Sequence, residues 1–285
     1  MKNTTGKLLI YWDYELQQGA DVSTQKYKDG VEDYHQTEFI LNYLQDKPIP
    51  TCFAVVGITA ERGGLPYHAP QQLKKMAKLG HEVGSHTYSH KRITQLNFPE
   101  LVAELQKSKQ AIEKASGQKC TAFVPPWDKP QFFFNLAIDF KPGTIFPKNS
   151  ILNKEKILHA LRQTGYKTYR TCPLTSRFAL FHLSKPKYSK GIIEIPCRLS
   201  NGFSTEAKKL VKKAISQRGI AVIYAHPRGL AHPGPQHKHK FIEFIDFVEK
   251  QIERKKLEVV LPHDLQRESL LKKDFPQQPR RIGRE

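Results

Sequence analysis

The chain has little of what would declare a membrane or a secreted protein. Its 285 residues contain no run of 18 apolar residues, so the sequence predicts no transmembrane segment. The N-terminal apolar run Leu8-Leu9-Ile10-Tyr11-Trp12 is too short for a signal peptide's apolar core and has no cleavage site, which predicts a cytoplasmic protein. Cysteine is scarce: Cys52, Cys120, Cys172 and Cys197 form no Cys-x-x-Cys pair. That spacing argues against a zinc knot. Cys52 and Cys120 fall in strand-like apolar runs, so free buried thiols are expected, as in a reducing compartment. No repeat of fixed period is present, which excludes solenoids and propellers. No stretch interleaves aromatic with basic residues as nucleic-acid-binding motifs do. The net charge of +19 therefore reads as a basic surface, with an anionic, phosphate-bearing substrate as the second reading and no specific nucleic acid.

What is present suffices for a core. Hydrophobic residues make up 39% and charged residues 26%, which excludes a disordered chain. Short apolar runs alternate with helical patterns. Strands are predicted at Lys7–Trp12, Thr51–Val56, His81–Ser85, Cys120–Val124, Tyr169–Thr171, Ile192–Ile195, Ile220–Ala225 and Leu257–Leu261. Helices are predicted at Val31–Leu44, Pro70–Leu79, Glu100–Ala115, Asn153–Gln163, Glu206–Gln217 and Lys240–Ile252. Leu16–Gly30 and Lys129–Ser150 read as loops that shape a substrate site. Such alternation implies an α/β fold on a parallel sheet. The tail from Lys272 to Glu285 has two prolines, five basic residues and little apolar content, so it reads as a disordered end. The domain division is 1–271 for a catalytic domain and 272–285 for the tail.

In parallel α/β folds the site lies at the carboxyl ends of the strands. There the sequence sets Asp13 and Glu15, His86 and His90, Trp127 and Asp128, and His226. His86 and His90 are four apart, and on a helical turn two such imidazoles share a face and can grip one ion. Imidazoles with a carboxylate suit zinc, and cobalt or iron after it. Asp13 and Glu15 are two apart, so in an extended segment both point to one side. One can bind the ion and the other act as general base, and the residues alone leave the order open. His226, after Ile-Tyr-Ala, is placed to protonate a leaving amine, although a core histidine bonded to backbone is the commoner occupant of such a position. Trp127 reads as an apolar wall or sugar platform, and Asp128 as an orienting group or a turn ending.

The segment Gly80-His81-Glu82-Val83-Gly84-Ser85-His86-Thr87-Tyr88-Ser89-His90 resembles the second motif of the polysaccharide deacetylases, carbohydrate esterase family four. Thr51-Cys52-Phe53-Ala54-Val55-Val56-Gly57 resembles the family's second strand. Phe123-Val124-Pro125-Pro126-Trp127 resembles its third motif, and Ile223-Tyr224-Ala225-His226-Pro227 its last. The resemblance spans roughly residues 7–265. It implies a single-domain, distorted parallel (β/α) barrel of about seven strands. It also implies removal of an N-acyl group, chiefly N-acetyl, from a saccharide with the help of a divalent metal: zinc first, then cobalt, iron or nickel. Carried over, His86, His90 and Glu15 are ligands, Asp13 is the base and His226 the acid. Tyr88, Pro126, Trp127 and Asp128 are candidates for substrate contact.

Two departures stand out. The family's first motif has adjacent aspartates, whereas this chain has Asp13-Tyr14-Glu15, which leaves an exchange of the two roles open. The third motif carries an arginine that steadies the base, and Val124 stands in its place. The expected substrate is a saccharide in cytoplasmic glycan assembly, anionic if linked to nucleotide or lipid. Two other readings are a hydrolase of cyclic ureides or imides resembling allantoinase, and a saccharide-binding member without turnover.

Overall fold

The structure is a computed structural model that describes residues 5–22, 30–133, 136–139, 153–173, 183–197 and 202–267. The predicted tail 272–285 lies outside them. In chain order the N-terminal half comprises β1 (Gly6–Tyr14), α1 (Leu16–Val22), α2 (Gly30–Leu44), β2 (Cys52–Val55), α3 (Pro70–Lys78), β3 (Glu82–Ser85), α4 (Phe98–Ser116) and β4 (Ala122–Phe123). There follow β5 (Gln131–Phe133), β6 (Leu136–Ile138), α5 (Lys154–Gln163), β7 (Thr168–Pro173), β8 (Lys187–Ser189) and β9 (Ile192–Pro196). The chain closes with α6 (Thr205–Gln217), β10 (Ile220–Ala225), α7 (Lys238–Glu253) and β11 (Leu257–Val259).

Seven strands run parallel in the order β10-β1-β2-β3-β4-β7-β9, so the predicted parallel barrel holds in a partly open form. β8 adds an antiparallel edge to β9, and β11 pairs with the start of β1. Among the described residues no ladder joins β9 to β10, so the sheet curls without closing.

Side chains alternate across this sheet as the strand period demands. Leu8, Ile10, Trp12 and Tyr14 of β1 face outward into the core shared with the helices. There Trp12 meets the rings of Phe203 and Phe241 at 5.3 and 5.5 Å. Leu9 and Tyr11 face inward and share a smaller core with Cys52, Ala54, Ala122, Val124, Ile195 and Val222. The inward stripe of β1 continues as Asp13 and then Glu15. Those of β3 and β10 continue as His86, and as Tyr224 then His226. The site is thus the polar end of the barrel's own interior.

Helix ends follow ordinary capping chemistry. Asn97 and Glu100 form a reciprocal capping box at the start of α4, and Gly117 ends it at φ +72°. Cys52, Cys120 and Cys197 are buried free thiols, although Cys120 lies just before β4 and not within it.

Two loop expectations are corrected. The stretch from Leu16 begins as α1. The stretch from Lys129 contains the antiparallel hairpin β5–β6, whose strands of three residues are too short to show a period. Phe132 anchors that hairpin against Tyr169 at 6.2 Å, and Asp139 beyond it accepts bonds from Arg92 and Thr94 at 2.6 Å each.

Candidate active site

Glu15 lies at the centre of the polar cluster. Its Oε1 is 3.5 Å from His86 Nε2, 3.2 Å from His90 Nε2 and 3.5 Å from His226 Nε2. One donor atom each from Glu15, His86 and His90 falls within 4.8 Å of the other two; His226 is outside that triplet. Two donors at about 2.0–2.1 Å from one tetrahedral ion stand roughly 3.3 Å apart, so the Glu15–histidine spacings suit a metal.

The donor chemistry agrees. His86 Nδ1 is 3.0 Å from the carbonyl of Val124, which can only accept, so the proton sits on Nδ1 and Nε2 presents its lone pair. His90 Nε2 is buried without a hydrogen-bond partner. Burial holds the pKa of His90 below the ordinary histidine value, against the pull of Glu15, which keeps the imidazole neutral as a ligand must be. The residues present therefore fit a metal ion.

The histidine pair does not ride on a helical turn as its spacing suggested. His86 follows β3 directly, and the chain then turns through Thr87 and His90, both left-handed at φ 62° and 59°. For a β-branched residue such as Thr87 this conformation is strained. It is held from outside. The Thr87 carbonyl accepts from Gly57 N at 2.8 Å and Ser108 Oγ at 3.0 Å. The Glu104 carboxylate of α4 accepts from Tyr88 N, Ser89 N and Ser89 Oγ at 3.1, 3.0 and 2.7 Å.

Asp13 is joined to a residue the sequence reading did not single out. Arg170 of β7, wholly buried, donates from Nη1 and Nη2 to Oδ1 and Oδ2 of Asp13, both at 2.8 Å. Nη2 also donates to Asp128 Oδ1 at 2.9 Å, and Asp128 Oδ2 accepts from the Tyr224 hydroxyl at 2.5 Å. The guanidinium lies 4.5 Å from the Tyr224 ring centroid. Burial pushes the Asp13 carboxyl upward, but Arg170 above all, with His86 and His226, outweighs it and holds the group below its usual range. Val124, in the place of the motif arginine, is a buried core residue that contributes its carbonyl to His86. An arginine paired with Asp13 is thus present, delivered by another strand. A charge inside a β-strand was its signal, since a buried guanidinium requires an acid partner.

Burial likewise raises Glu15, yet Arg228 and then His90 hold it well below the carboxylate range. For His226 burial opposes the imidazolium, but Glu15 and Asp13 prevail and raise its pKa. Gln236 accepts the His226 amide at 2.5 Å and fixes the backbone there.

These groups open into a cavity of about 600 Å³, whose walls include Asp13, Glu15, His86, His90, Trp127, Asp128 and His226. Trp127 is fixed in it: Nε1 donates to the His90 carbonyl at 3.3 Å, and Arg92 lies 4.7 Å from its ring centroid. The structure thus brings together seven of the nine residues singled out in the sequence. Tyr88 and Pro126 are not in the cavity wall, and Lys107 Nζ stands 3.9 Å from the centroid of the Tyr88 ring.

Residues 18–129 match the sequence profile described as polysaccharide deacetylase. Chitin deacetylase 1 of Cryptococcus neoformans var. grubii is 34% identical over 101 residues, 35% of this chain and 20% of that protein. A peptidoglycan-N-acetylglucosamine deacetylase of Bacillus cereus is 28% identical over 99 residues, 35% of this chain and 34% of that one. The aligned stretch is a fifth to a third of these relatives' length. In fold, a candidate polysaccharide deacetylase from Mycobacterium smegmatis superposes with a TM-score of 0.66 at 14% identity, covering 100% of this chain and 96% of that one. A 4-alpha-glucanotransferase from Thermococcus litoralis reaches 0.59 at 12% identity, covering 92% and 40%. The architecture is therefore shared with a protein of another name, and activity must be argued from the site.

Proposed function

We propose, from the match of residues 18–129 to the polysaccharide deacetylase profile and from the site's geometry, that the chain is a metal-dependent hydrolase removing an N-acyl group, chiefly N-acetyl, from a saccharide. The observation that carries the reading is the convergence of His86 and His90 on Oε1 of Glu15 at 3.5 and 3.2 Å.

Glu15, His86 and His90 would hold a divalent ion. Two imidazoles and a carboxylate suit zinc, with cobalt, iron and nickel as alternatives. Such an ion, when bound, lowers the pKa of a water and polarises an acyl oxygen. Asp13 is the proton acceptor. Arg170 keeps it ionised at neutral pH, and each oxygen retains acceptor capacity beyond its bond to the guanidinium. His226, raised by the acids beside it, carries a proton for the departing amine. Trp127 forms a rigid wall against which a sugar ring can rest. The hydrolysis of one amide by one water yields the free amine and a carboxylate.

The net charge of +19 supports an anionic substrate, such as a nucleotide- or lipid-linked saccharide. Three buried free thiols support a cytoplasmic setting. Among the described residues no helix is long and apolar enough to cross a membrane.

The test is acetate release from N-acetylglucosamine oligomers by the purified chain. Release should stop on chelation and return with added zinc or cobalt. His226→Ala should slow it by about 10²–10⁴-fold, the usual contribution of a general acid. Chelator-resistant opening of hydantoin, with no acetate released, would point instead to a ureide hydrolase.

A further inference from the structure

We propose that Arg228 is a positioning residue that makes Glu15 a one-oxygen ligand by holding Oε2 away from the histidines. The inference rests on the metal-binding reading above and concerns how the ligand is presented.

The two oxygens of Glu15 have separate surroundings. Oε1 faces His86, His90 and His226. Oε2 accepts from Arg228 Nη2 at 2.5 Å. A carboxylate can bind an ion through one oxygen or both. To engage both, Glu15 would have to turn Oε2 toward the histidines and so distort a charge-assisted bond to a guanidinium that is 10% exposed.

Arg228 does not depend on Glu15 for its place. Its amide donates to Asp33 Oδ1 at 2.9 Å, and its Nη1 lies 3.9 Å from Asp33 Oδ2. The same Oδ2 accepts from Glu15 N at 3.0 Å and Leu16 N at 2.8 Å. One fully buried carboxylate of α2 thus fixes the backbone of the ligand and of its clamp. Gly19 completes the arrangement, since a Cβ there would stand 1.9 Å from Glu15 Oε2. The chain keeps clear the space that the clamped oxygen occupies.

Removing Arg228 has two opposed effects. Loss of a nearby cation favours metal binding, whereas loss of ligand orientation disfavours it. Arg228 sits between two carboxylates, Glu15 and Asp33, so its charge is already balanced locally. Orientation should decide.

The experiment is titration of the metal-free full chain with cobalt(II) chloride, followed by visible absorption and by competition with a chromophoric chelator. Arg228→Gln should bind cobalt about 10–100-fold more weakly, the usual effect of removing a group that orients a ligand. Its visible band should also lose intensity as Glu15 opens to both oxygens. Arg228→Lys should recover part of both effects. Gly19→Ala, which alters no charge, should shift both in the same direction as Arg228→Gln. Unchanged or tighter binding with an unchanged band, in an Arg228→Gln protein of native circular dichroism, overturns the inference. If that variant does not fold, Arg228→Lys and Gly19→Ala decide by the same readings. Failure of the metal reading itself is distinct, because the unaltered chain would then bind no cobalt.

Discussion

Arg170→Met removes the guanidinium that joins Asp13 to Asp128 and leaves a methionine of similar length. Asp13 then remains 3% exposed without the partner that supplies two bonds of 2.8 Å. Breaking a buried pair from one side costs about 3–5 kcal/mol, because the remaining charge is uncompensated. Total stabilities run to about 5–15 kcal/mol, so the variant should stay folded in buffer yet unfold at clearly lower urea concentration. The deficit should depend on pH. In the unaltered chain the depressed Asp13 pKa contributes stability above the unfolded carboxyl value, lost as pH falls through the folded value. Without Arg170, burial dominates and the folded pKa rises. The variant should therefore be weakest at neutral pH and approach the unaltered chain as acid protonates Asp13. Asp13→Asn added to Arg170→Met should restore most of the loss. The acidic limb of the rate profile should move up in the single variant. A deficit that is flat from pH 4 to 8 and not relieved by Asp13→Asn would refute the reasoning.

His81 gives a second pH dependence, away from the cavity. It is 2% exposed, its Nδ1 accepts from Thr51 N at 3.1 Å, and burial lowers its pKa to about 4. The folded state resists protonation, so stability is complete above the unfolded value and falls as pH drops from about 6.5 toward 4, by roughly 3 kcal/mol in all. Urea midpoints of His81→Asn across that window should lack this component; an identical slope would contradict the assignment. Glu104→Ala removes the acceptor of three bonds that hold the turn between His86 and His90. It should lower stability by about 1.5–3 kcal/mol, as loss of hydrogen bonds to a charged group does, and weaken cobalt binding measurably. A normal affinity would show that the turn keeps its shape without Glu104.

Much of the site was legible because strands alternate. Once Leu8–Trp12 is read as a buried strand, Asp13 and Glu15 must share its inward side, and the structure puts both in the cavity wall. The same period sets His226 beyond Tyr224, and with the strand ended two residues later stands Arg228, which the reading passed over. Arg170 was harder to place, because its partner Asp13 is 157 residues away and no local pattern links them. The histidine spacing was ambiguous in another way: four residues fit one helical turn or a turn with left-handed Thr87 and His90, and the long-range anchoring by Gly57, Glu104 and Ser108 selects the second. The pair β5–β6 escaped because its strands are three residues long and its pairing to Arg170's strand is a long-range contact. The left-handed Trp127, φ 65°, likewise has no local signature.

Metal analysis of three purified proteins in parallel tests the centre of the proposal: the unaltered chain, Asp13→Asn and Glu15→Gln, each loaded with zinc and dialysed. The unaltered chain and Asp13→Asn should each retain one ion per chain, and Glu15→Gln should retain little or none. Retention by Glu15→Gln together with loss in Asp13→Asn would exchange the two acids' roles, and no retained ion in the unaltered chain would contradict metal-dependent hydrolysis at this site.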